Sequence, residues 1–181
     1  MTKLLFSLIR QSLFALILCL PAAAANAGAT DDSTGQSDIS TQRARQRVQF
    51  AAALVAAKLG GDGWRALASG LEDYPLYPYL EAASMEHDIG TVKQADVEKY
   101  LARYPGLIPA HDLRRDFLHQ LAGRRDWQNF RKLYRPGLGY ALACNALRAK
   151  LAAGEKLDFN RDLASIWQKT SLPGACDPVL D

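Results

Sequence analysis

The paired carboxylates are the first residues of the sequence that could do chemistry. Asp112 and Asp116, and again Asp158 and Asp162, stand four residues apart and would share one face of a helix. A catalytic acid needs surroundings that raise its pKa, such as an apolar pocket or a close second carboxylate. Arginines flank both pairs and the neighbouring sequence supplies no apolar pocket. We therefore predict ion pairing or helix capping for these four residues.

The spacing of the histidines does not match that of a metal site. None stands in an H-E-x-x-H frame or at another ligand spacing, and most of their neighbours are polar: His87, His111 and His119. The sequence also lacks a G-x-S-x-G motif, a Walker loop and a dinucleotide fingerprint. We predict surface histidines, and neither a catalytic residue, a metal nor a cofactor in this chain.

Basic residues are concentrated in one segment whose only acids are Asp116 and Asp126. They are Arg114, Arg115, Arg124, Arg125, Arg131, Lys132 and Arg135. One interpretation is a solvated helix face with scattered ion pairs. The other is a patch that contacts an anionic polymer such as the peptide-bearing glycan of the cell wall.

Residues 1–27 have the three parts of a secretory signal peptide. Lys3 and Arg10 supply the positive charges, residues 13–20 are an apolar stretch too short to span a bilayer, and A-N-A at 25–27 is a cleavage motif. We predict cleavage between Ala27 and Gly28. Cys19 follows Ile and Leu rather than the small residues of a lipobox, so no membrane anchor is expected after cleavage.

Loss of the signal peptide would lower the formal net charge from +3 to +1 and leave two cysteines. Nucleic-acid-binding domains normally carry a much larger basic excess, so this class of partner is excluded. An even number of cysteines in an exported chain favours a disulfide between Cys144 and Cys176. A metal site is the alternative, but other ligands are missing near the two cysteines.

Residues 28–40 are small, polar and acidic, which predicts a flexible lead. Helical periodicity follows, at about residues 41–59, 63–69, 78–87, 92–103, 111–122, 127–134, 140–153 and 158–169, with glycine or proline at most of the boundaries. The first of these helices has one apolar face formed by Val48, Ala52, Val55 and Leu59. The last is expected to present Phe159, Leu163, Ile166 and Trp167 to the core.

The segment at residues 71–81, L-E-D-Y-P-L-Y-P-Y-L-E, places two prolines and three tyrosines in eleven positions. We call it the tyrosine–proline corner: Tyr74, Pro75, Tyr77, Pro78 and Tyr79. Each proline pushes the preceding tyrosine away from the helical region, and Pro78 can open a helix. Without other information, the corner is interpreted as aromatic rings packed between neighbouring helices.

A weak internal repeat organises these helices. A long helix, a glycine stop and a tryptophan-bearing helix occur at Gly60 to Trp64, and again at Gly123 to Trp127, with a weaker third copy at Gly154. Because no segment alternates as a strand would, we predict an all-α fold. Its antiparallel helix hairpins would stack into a superhelix that is incomplete at the C-terminal end.

The tyrosine–proline corner, the R-R-D-W run at 124–127 and the pair Cys144 and Cys176 together resemble the superhelical U-shaped region of soluble lytic murein transglycosylases. The resemblance extends from about residue 42 to the last residue. It implies a right-handed superhelix over residues 41–181 and a periplasmic protein whose partner is the peptidoglycan glycan strand. The family cleaves the β-1,4 bond between N-acetylmuramic acid and N-acetylglucosamine and leaves a 1,6-anhydromuramoyl end.

The catalytic residue of that family is a glutamate in a Glu-Ser motif, followed by a G-L-M-Q stretch. None of the five glutamates here precedes a serine: Glu72, Glu81, Glu86, Glu98 and Glu155. We therefore expect an N-terminal portion that confines or scaffolds the glycan and is not itself catalytic. The alternative is a stand-alone periplasmic helical-repeat module that binds a protein partner.

Overall fold

The computed structural model describes residues 31–180, and their side chains from residue 36 onward. Within this range the chain is all-α and contains no β-strand, which confirms the predicted fold class. No helix in the described range is both long and apolar enough to cross a membrane. The predicted signal peptide, its cleavage site at Ala27 and Gly28, and the first residues of the lead lie outside the described residues and stay predictions.

Nine α-helices follow one another in the described range. They are α1 (Asp31–Leu59), α2 (Gly63–Leu67), α3 (Tyr77–His87), α4 (Gln94–Arg103), α5 (Ile108–Gly123), α6 (Trp127–Leu133), α7 (Tyr140–Ala152), α8 (Ala164–Trp167) and α9 (Asp177–Leu180). A π-helical turn at Phe159–Leu163 precedes α8, and a 3₁₀ turn at Gly174–Cys176 precedes α9. Helices α2 to α7 lie within a few residues of their predicted bounds.

The chain divides into two compact units, Met1–Ile39 and Ser40–Asp181. In the first unit the structure describes the helical backbone from Asp31. The prediction that the helix starts near residue 41 is therefore wrong. Polar residues can extend an existing helix at low cost because nucleation has already occurred in the apolar part of the helix.

The apolar face predicted for α1 does not face the core. Val48, Val55 and Leu59 are 73%, 60% and 75% exposed, whereas Ala53 and Ala57 are fully buried. The two alanines pack in a cluster with Trp64, Ala68, Leu71, Leu80 and Ala83. Helix α1 thus contributes the two alanines to the buried cluster, with Phe50 and Leu54 packed partly buried against it.

The tyrosine–proline corner opens α3, as predicted. Tyr77 is the first residue of the helix and Pro78 the second. The ring of Tyr74 lies 5.5 Å from that of Phe50, and the ring of Tyr77 lies 6.1 Å from that of Trp64. The corner thus fastens α3 to the α1–α2 cluster through aromatic contacts.

Helix α5 lies at the centre of the larger core. Its residues Leu113, Phe117, Leu118 and Leu121 are almost completely buried, together with Phe130 of α6. The helix packs against α3, α4, α6 and α7. Burial of each large apolar side chain contributes about 1.5–3 kcal/mol, so this helix orients the elements on both sides of it.

The C-terminal elements are tied to α7 by the predicted disulfide. Cys144 of α7 and Cys176 of the 3₁₀ turn form the bond, and both are buried with Leu147 and Ile166. By contrast, Phe159 and Trp167 are 51% and 62% exposed, so their predicted core position is wrong. The π-helical turn adds residues per turn and shifts the face that a regular helix would bury.

A buried carboxylate joins α7 to the π-helical turn. Asp162 Oδ1 accepts a hydrogen bond from Lys150 Nζ at 2.7 Å, and Oδ2 accepts from Arg161 Nη2 at 2.7 Å and from the backbone N–H of Asp158 at 2.9 Å. Asp158 in turn accepts from the N–H of Arg161. The pairing and capping predicted for these two aspartates are confirmed, although Asp162 is buried rather than on the surface.

We expect Asp162→Asn to lower the melting temperature at pH 7. The hydrogen bond from Arg161, then those from Asp158 and Lys150, hold the pKa of Asp162 well below its ordinary value of 3.8. A depressed carboxylate pKa contributes stability above the unfolded-state pKa and loses it as the pH falls through the folded-state pKa. The difference from wild type should therefore shrink below about pH 4 in thermal melts followed by circular dichroism. Asp73→Asn, at an exposed site, is the matched control, and an equal loss for both variants would contradict the account.

Candidate functional site

The turn between α5 and α6 holds the most unusual backbone of the described residues. Arg125 has a φ of 58°, and it is the one non-glycine residue there in the left-handed region. Its N–H bonds to the carbonyl of Ala122, and the N–H of Asp126 bonds to that of Leu121. These bonds close the end of α5 in the manner of a Schellman motif, at a position where glycine is usual. The left-handed conformation costs an arginine roughly 1–2 kcal/mol, so its side chain is held at this corner at a cost.

Asp126 then starts α6 and fixes the orientation of Trp127. The aspartate accepts a hydrogen bond from the backbone N–H of Asn129 at 3.3 Å and another from its Nδ2 at 2.8 Å. Trp127 is the first helical residue and is half-buried, with its ring edge-on to Phe130 at 6.0 Å. The equivalent residue in the first repeat, Trp64, is buried instead. The second copy therefore presents a tryptophan to solvent where the first packs one in the core.

Two open grooves meet at Trp127, and we call them together the Trp127 groove. The larger, about 600 Å³, runs between α6 and the C-terminal half of α7 and is lined by Arg125, Asp126, Trp127, Gln128, Arg131, Lys132, Ala149, Ala152 and Ala153. The smaller, about 380 Å³, is lined by Arg125, Trp127, Arg148, Leu151 and Pro178. Two alanines of α7, Ala149 and Ala152, and Ala153 just after the helix leave the space that forms the larger groove.

The charges around this groove are mostly positive. The guanidinium of Arg148 lies 5.2 Å from the centre of the Trp127 ring, within cation–π range. Arg131 pairs with Glu155 at 2.5 Å, and Lys132 donates to Asn129. Asp126, the acid in the lining, is engaged in capping α6. Arg125, Lys132 and Arg148 have no ion pair among the described residues, so their charges are open to a ligand.

The combination of an indole ring and guanidinium groups suits a ligand with both apolar faces and anionic groups. The ring offers a flat apolar surface with a polar edge, and arginine binds carboxylates through two parallel hydrogen bonds. A sugar ring presents a C–H face, and a peptide-substituted sugar adds carboxylates. Nothing in the groove can act as a nucleophile or a buried general acid.

The structure divides the seven predicted patch residues among different surroundings. Arg125, Arg131 and Lys132 come together in the groove. Arg124 is directed over the ring of Phe117 at 6.0 Å, and Arg115 is neutralised by Asp112 and Asp116, each at 2.9 Å. The ion pairing predicted for Asp112 and Asp116 is confirmed.

Arg114 and Arg135 lie near each other and outside the groove. Burial first, and then the positive charge of Arg135, lowers the pKa of Arg114, whose Nε has no hydrogen-bond partner in the described part of the chain. Arg135 donates to the carbonyls of Lys132 and Tyr134 at the C-terminal end of α6, where a cation is favoured. Their role as a contact patch stays a prediction.

Sequence reasoning missed Arg148, Leu151, Pro178 and the alanine floor of α7. These residues are separated from the basic segment along the chain and reach Trp127 only through the packing of α7 on α6 and, for Pro178, of α9 on α7. The one available signal was the apolar periodicity of α7, which places Ala149 inward but does not identify the helix that it faces. All three histidines are exposed, as predicted, and the described residues include no group of His, Cys, Asp and Glu able to hold a metal.

The five glutamates occupy separate places. Glu72 is exposed, Glu98 accepts from Gln94 at 2.6 Å, and Glu155 pairs with Arg131. Burial, and then the charges of Asp116 and Asp112, raises the pKa of Glu86. Glu81 lies in a separate cleft. None of them lines the Trp127 groove.

The fold and the groove define an all-α helical protein with a basic, aromatic surface suited to a polar polymer. No protein-family model matches the chain. The soluble lytic murein transglycosylases of Escherichia coli K12 and of Salmonella typhimurium are each 34% identical to it over 113 residues, which is 61% of this chain and 17% of the relative. The X-ray structure of an inactive mutant of the lytic transglycosylase Slt from Pseudomonas aeruginosa matches 73% of this chain and 22% of that chain, with 29% identity and a TM-score of 0.65.

This chain is therefore homologous to a part of the soluble lytic murein transglycosylases, and the resemblance drawn from the sequence is confirmed. It spans about a sixth of the length of the curated relatives that it matches.

We expect Arg125→Gly to stabilise the protein by up to about 1 kcal/mol, because glycine adopts a positive φ without steric cost. Its greater entropy in the unfolded chain offsets part of that gain. Arg124→Gly is the matched control, since Arg124 has a φ of −82° and gains nothing from glycine. Urea unfolding at equilibrium measures both variants. A lower stability for Arg125→Gly than for wild type would show that the left-handed turn is not strained.

Proposed function

We propose that this chain is the N-terminal portion of a periplasmic soluble lytic transglycosylase, which cleaves the β-1,4 bond between N-acetylmuramic acid and N-acetylglucosamine and forms a 1,6-anhydromuramoyl product. In this portion the helices scaffold the enzyme and confine the glycan strand. The reaction itself takes place elsewhere in the enzyme. The observation that carries the proposal is the homology together with the Trp127 groove.

The groove supports a binding role through its chemistry. Trp127 offers an apolar surface to a pyranose C–H face, and Arg125, Lys132 and Arg148 offer cations to the carboxylates of a peptide-substituted glycan. Retention of arginine at a strained φ is also typical of a position where the side chain serves binding. With a net charge of only +1 for the exported chain, attraction to an anionic polymer depends on such local groups rather than on the overall field.

The absence of a Glu-Ser dipeptide supports the non-catalytic assignment. Glycan cleavage of this kind needs a carboxylic acid at the scissile bond. The nearest glutamate to the groove, Glu155, is ion-paired with Arg131 and half-exposed. Its carboxylate is engaged in an ion pair and does not lie in an apolar pocket.

A second candidate function is a stand-alone periplasmic helical-repeat module that binds a protein. The exposed face of α1 favours it, since Val48, Val55 and Leu59 leave apolar surface unpaired. Under this alternative, Val55→Asp should abolish binding of a protein partner. Under the first proposal, the same variant should bind peptidoglycan as wild type does.

We expect Trp127→Ala to weaken binding of the exported chain to purified, insoluble murein by about tenfold, which corresponds to about 1.4 kcal/mol. Arg148→Gln should weaken it by a smaller factor because it removes one cation and leaves the ring. Co-sedimentation at several protein concentrations measures both. Trp167→Ala, an exposed tryptophan on α8, and Arg115→Gln, an ion-paired arginine on α5, are the matched controls and should bind as wild type does.

Equal binding by Trp127→Ala and Trp167→Ala would contradict the groove as the glycan site. A murein zymogram tests the non-catalytic role separately. A clearing band from residues 28–181 alone would show that this portion is itself a lytic enzyme.

A further inference from the structure

A second cleft lies beside the tyrosine–proline corner, in a part of the fold that the Trp127 groove does not include. Its volume is about 470 Å³, and residues of α3 and α4 line most of it. Glu81, Tyr100 and Tyr104 form one side, with Lys99 and Arg103 nearby on α4. Glu81 is the final residue of the corner, so the segment that opens α3 also delivers a carboxylate to this cleft.

One oxygen of that carboxylate is unsatisfied. Glu81 Oε2 is buried and has no hydrogen-bond partner among the described residues. A buried acceptor without a partner has lost the hydrogen bonds that water would make with it, and the loss is greater for a charged group. A donor from a ligand would make up this loss, and an ammonium group would also supply the opposite charge.

The two tyrosines beside Glu81 are held in place. The Tyr100 hydroxyl donates to the carbonyl of Pro78 at 2.9 Å, and burial followed by the charge of Glu81 raises the Tyr100 pKa. Burial also raises the pKa of Tyr104; the charge and hydrogen bonding of Glu81 add to that effect, while Arg103 opposes it. The charges of Glu81 and Arg103 both act on Tyr104, so a carboxylate and a guanidinium lie near one phenol.

The cations of the cleft are available to an anion. Arg103 lies over the Tyr104 ring at 5.1 Å, and neither Arg103 nor Lys99 has an ion pair within the described range. Arg65, by contrast, is paired with Asp62. The cleft thus offers the unpartnered oxygen of Glu81 and two unpaired cations, and Asp88 and Asp96 add two more carboxylates to its lining.

We propose that this cleft binds an amino-acid head group, with the ammonium on Glu81 and the carboxylate on Lys99 and Arg103. A single carboxylate ligand would leave Glu81 unsatisfied, and a simple amine would leave both cations without a partner. This inference rests on the proposed function, under which the head group belongs to a diamino-acid side chain in the stem peptide of peptidoglycan. Such a side chain carries both groups on one carbon. The cleft would then bind the stem peptide, while the Trp127 groove contacts the glycan.

The test is calorimetric titration of the exported chain with the soluble tripeptide L-Ala-γ-D-Glu-meso-diaminopimelate. We expect saturable binding that Glu81→Gln weakens at least tenfold and that Glu72→Gln, an exposed glutamate of the same corner, does not change. The corresponding lysine tripeptide, which lacks the distal carboxylate, should bind more weakly, and acetylation of the distal amine should abolish binding. Melting temperatures of the two variants verify that both are folded.

Several results would overturn the inference. These are the absence of tripeptide binding to the wild-type chain, equal binding by Glu81→Gln and Glu72→Gln, or equal binding of the acetylated tripeptide. Free meso-diaminopimelate carries the same head group and should bind about as tightly as the tripeptide, so no binding of the free amino acid would overturn the head-group assignment. If the tripeptide does not bind but the chain still co-sediments with murein, the cleft alone is rejected and the proposed function stays in place.

Discussion

The burial of α5 is the interaction on which the rest of the structure depends. Four of its large side chains are enclosed by residues of α3, α4, α6 and α7, so the position of each neighbour is set by contact with one helix. Protein interiors are packed as densely as organic crystals, which leaves these neighbours little freedom to shift independently. The Trp127 groove begins where α5 ends, and the cleft at Glu81 lies on the helices that pack against its other side. Both candidate sites are therefore located by the same core.

The two sites also share a way of holding a charged group at a cost in stability. Arg125 is kept in a left-handed conformation that glycine would adopt more easily, and one oxygen of Glu81 is buried without a partner. Neither arrangement helps folding. Such local costs persist where the surrounding structure over-determines them, and they concentrate at ligand-binding positions. The tightly packed core around α5 is large enough to support both.

Much of the fold could be predicted because the ends of its helices depend on local chemistry. Pro78 near the start of α3, Asp126 before α6 and Gly154 after α7 mark helix ends through steric and hydrogen-bonding preferences that act within a few residues. The disulfide followed from cysteine number and the expected export. These features do not require knowledge of which helix packs against which.

The errors arise where tertiary packing decides. The face of α1 that packs on the Trp64 cluster carries Ala53 and Ala57, with Phe50 and Leu54 beside them, so Val48, Val55 and Leu59 are left exposed. The π-helical turn before α8 changes the helical phase and turns Phe159 and Trp167 outward. Arg148 could not be assigned to the site because its contact with Trp127 exists only after α7 packs on α6. Three of the seven members of the basic segment line the Trp127 groove, and the contact role of the segment stays a prediction.

Hydrogen–deuterium exchange on residues 28–181, with and without soluble uncrosslinked glycan strands that keep their stem peptides, tests the central claim most directly. Binding in the Trp127 groove predicts slower exchange at residues 125–132 and 148–153, where the groove is formed, and little change in α1. Protection confined to the exposed face of α1, or no protection at any described residue, would contradict the assignment of this chain as a glycan-confining portion of a lytic transglycosylase.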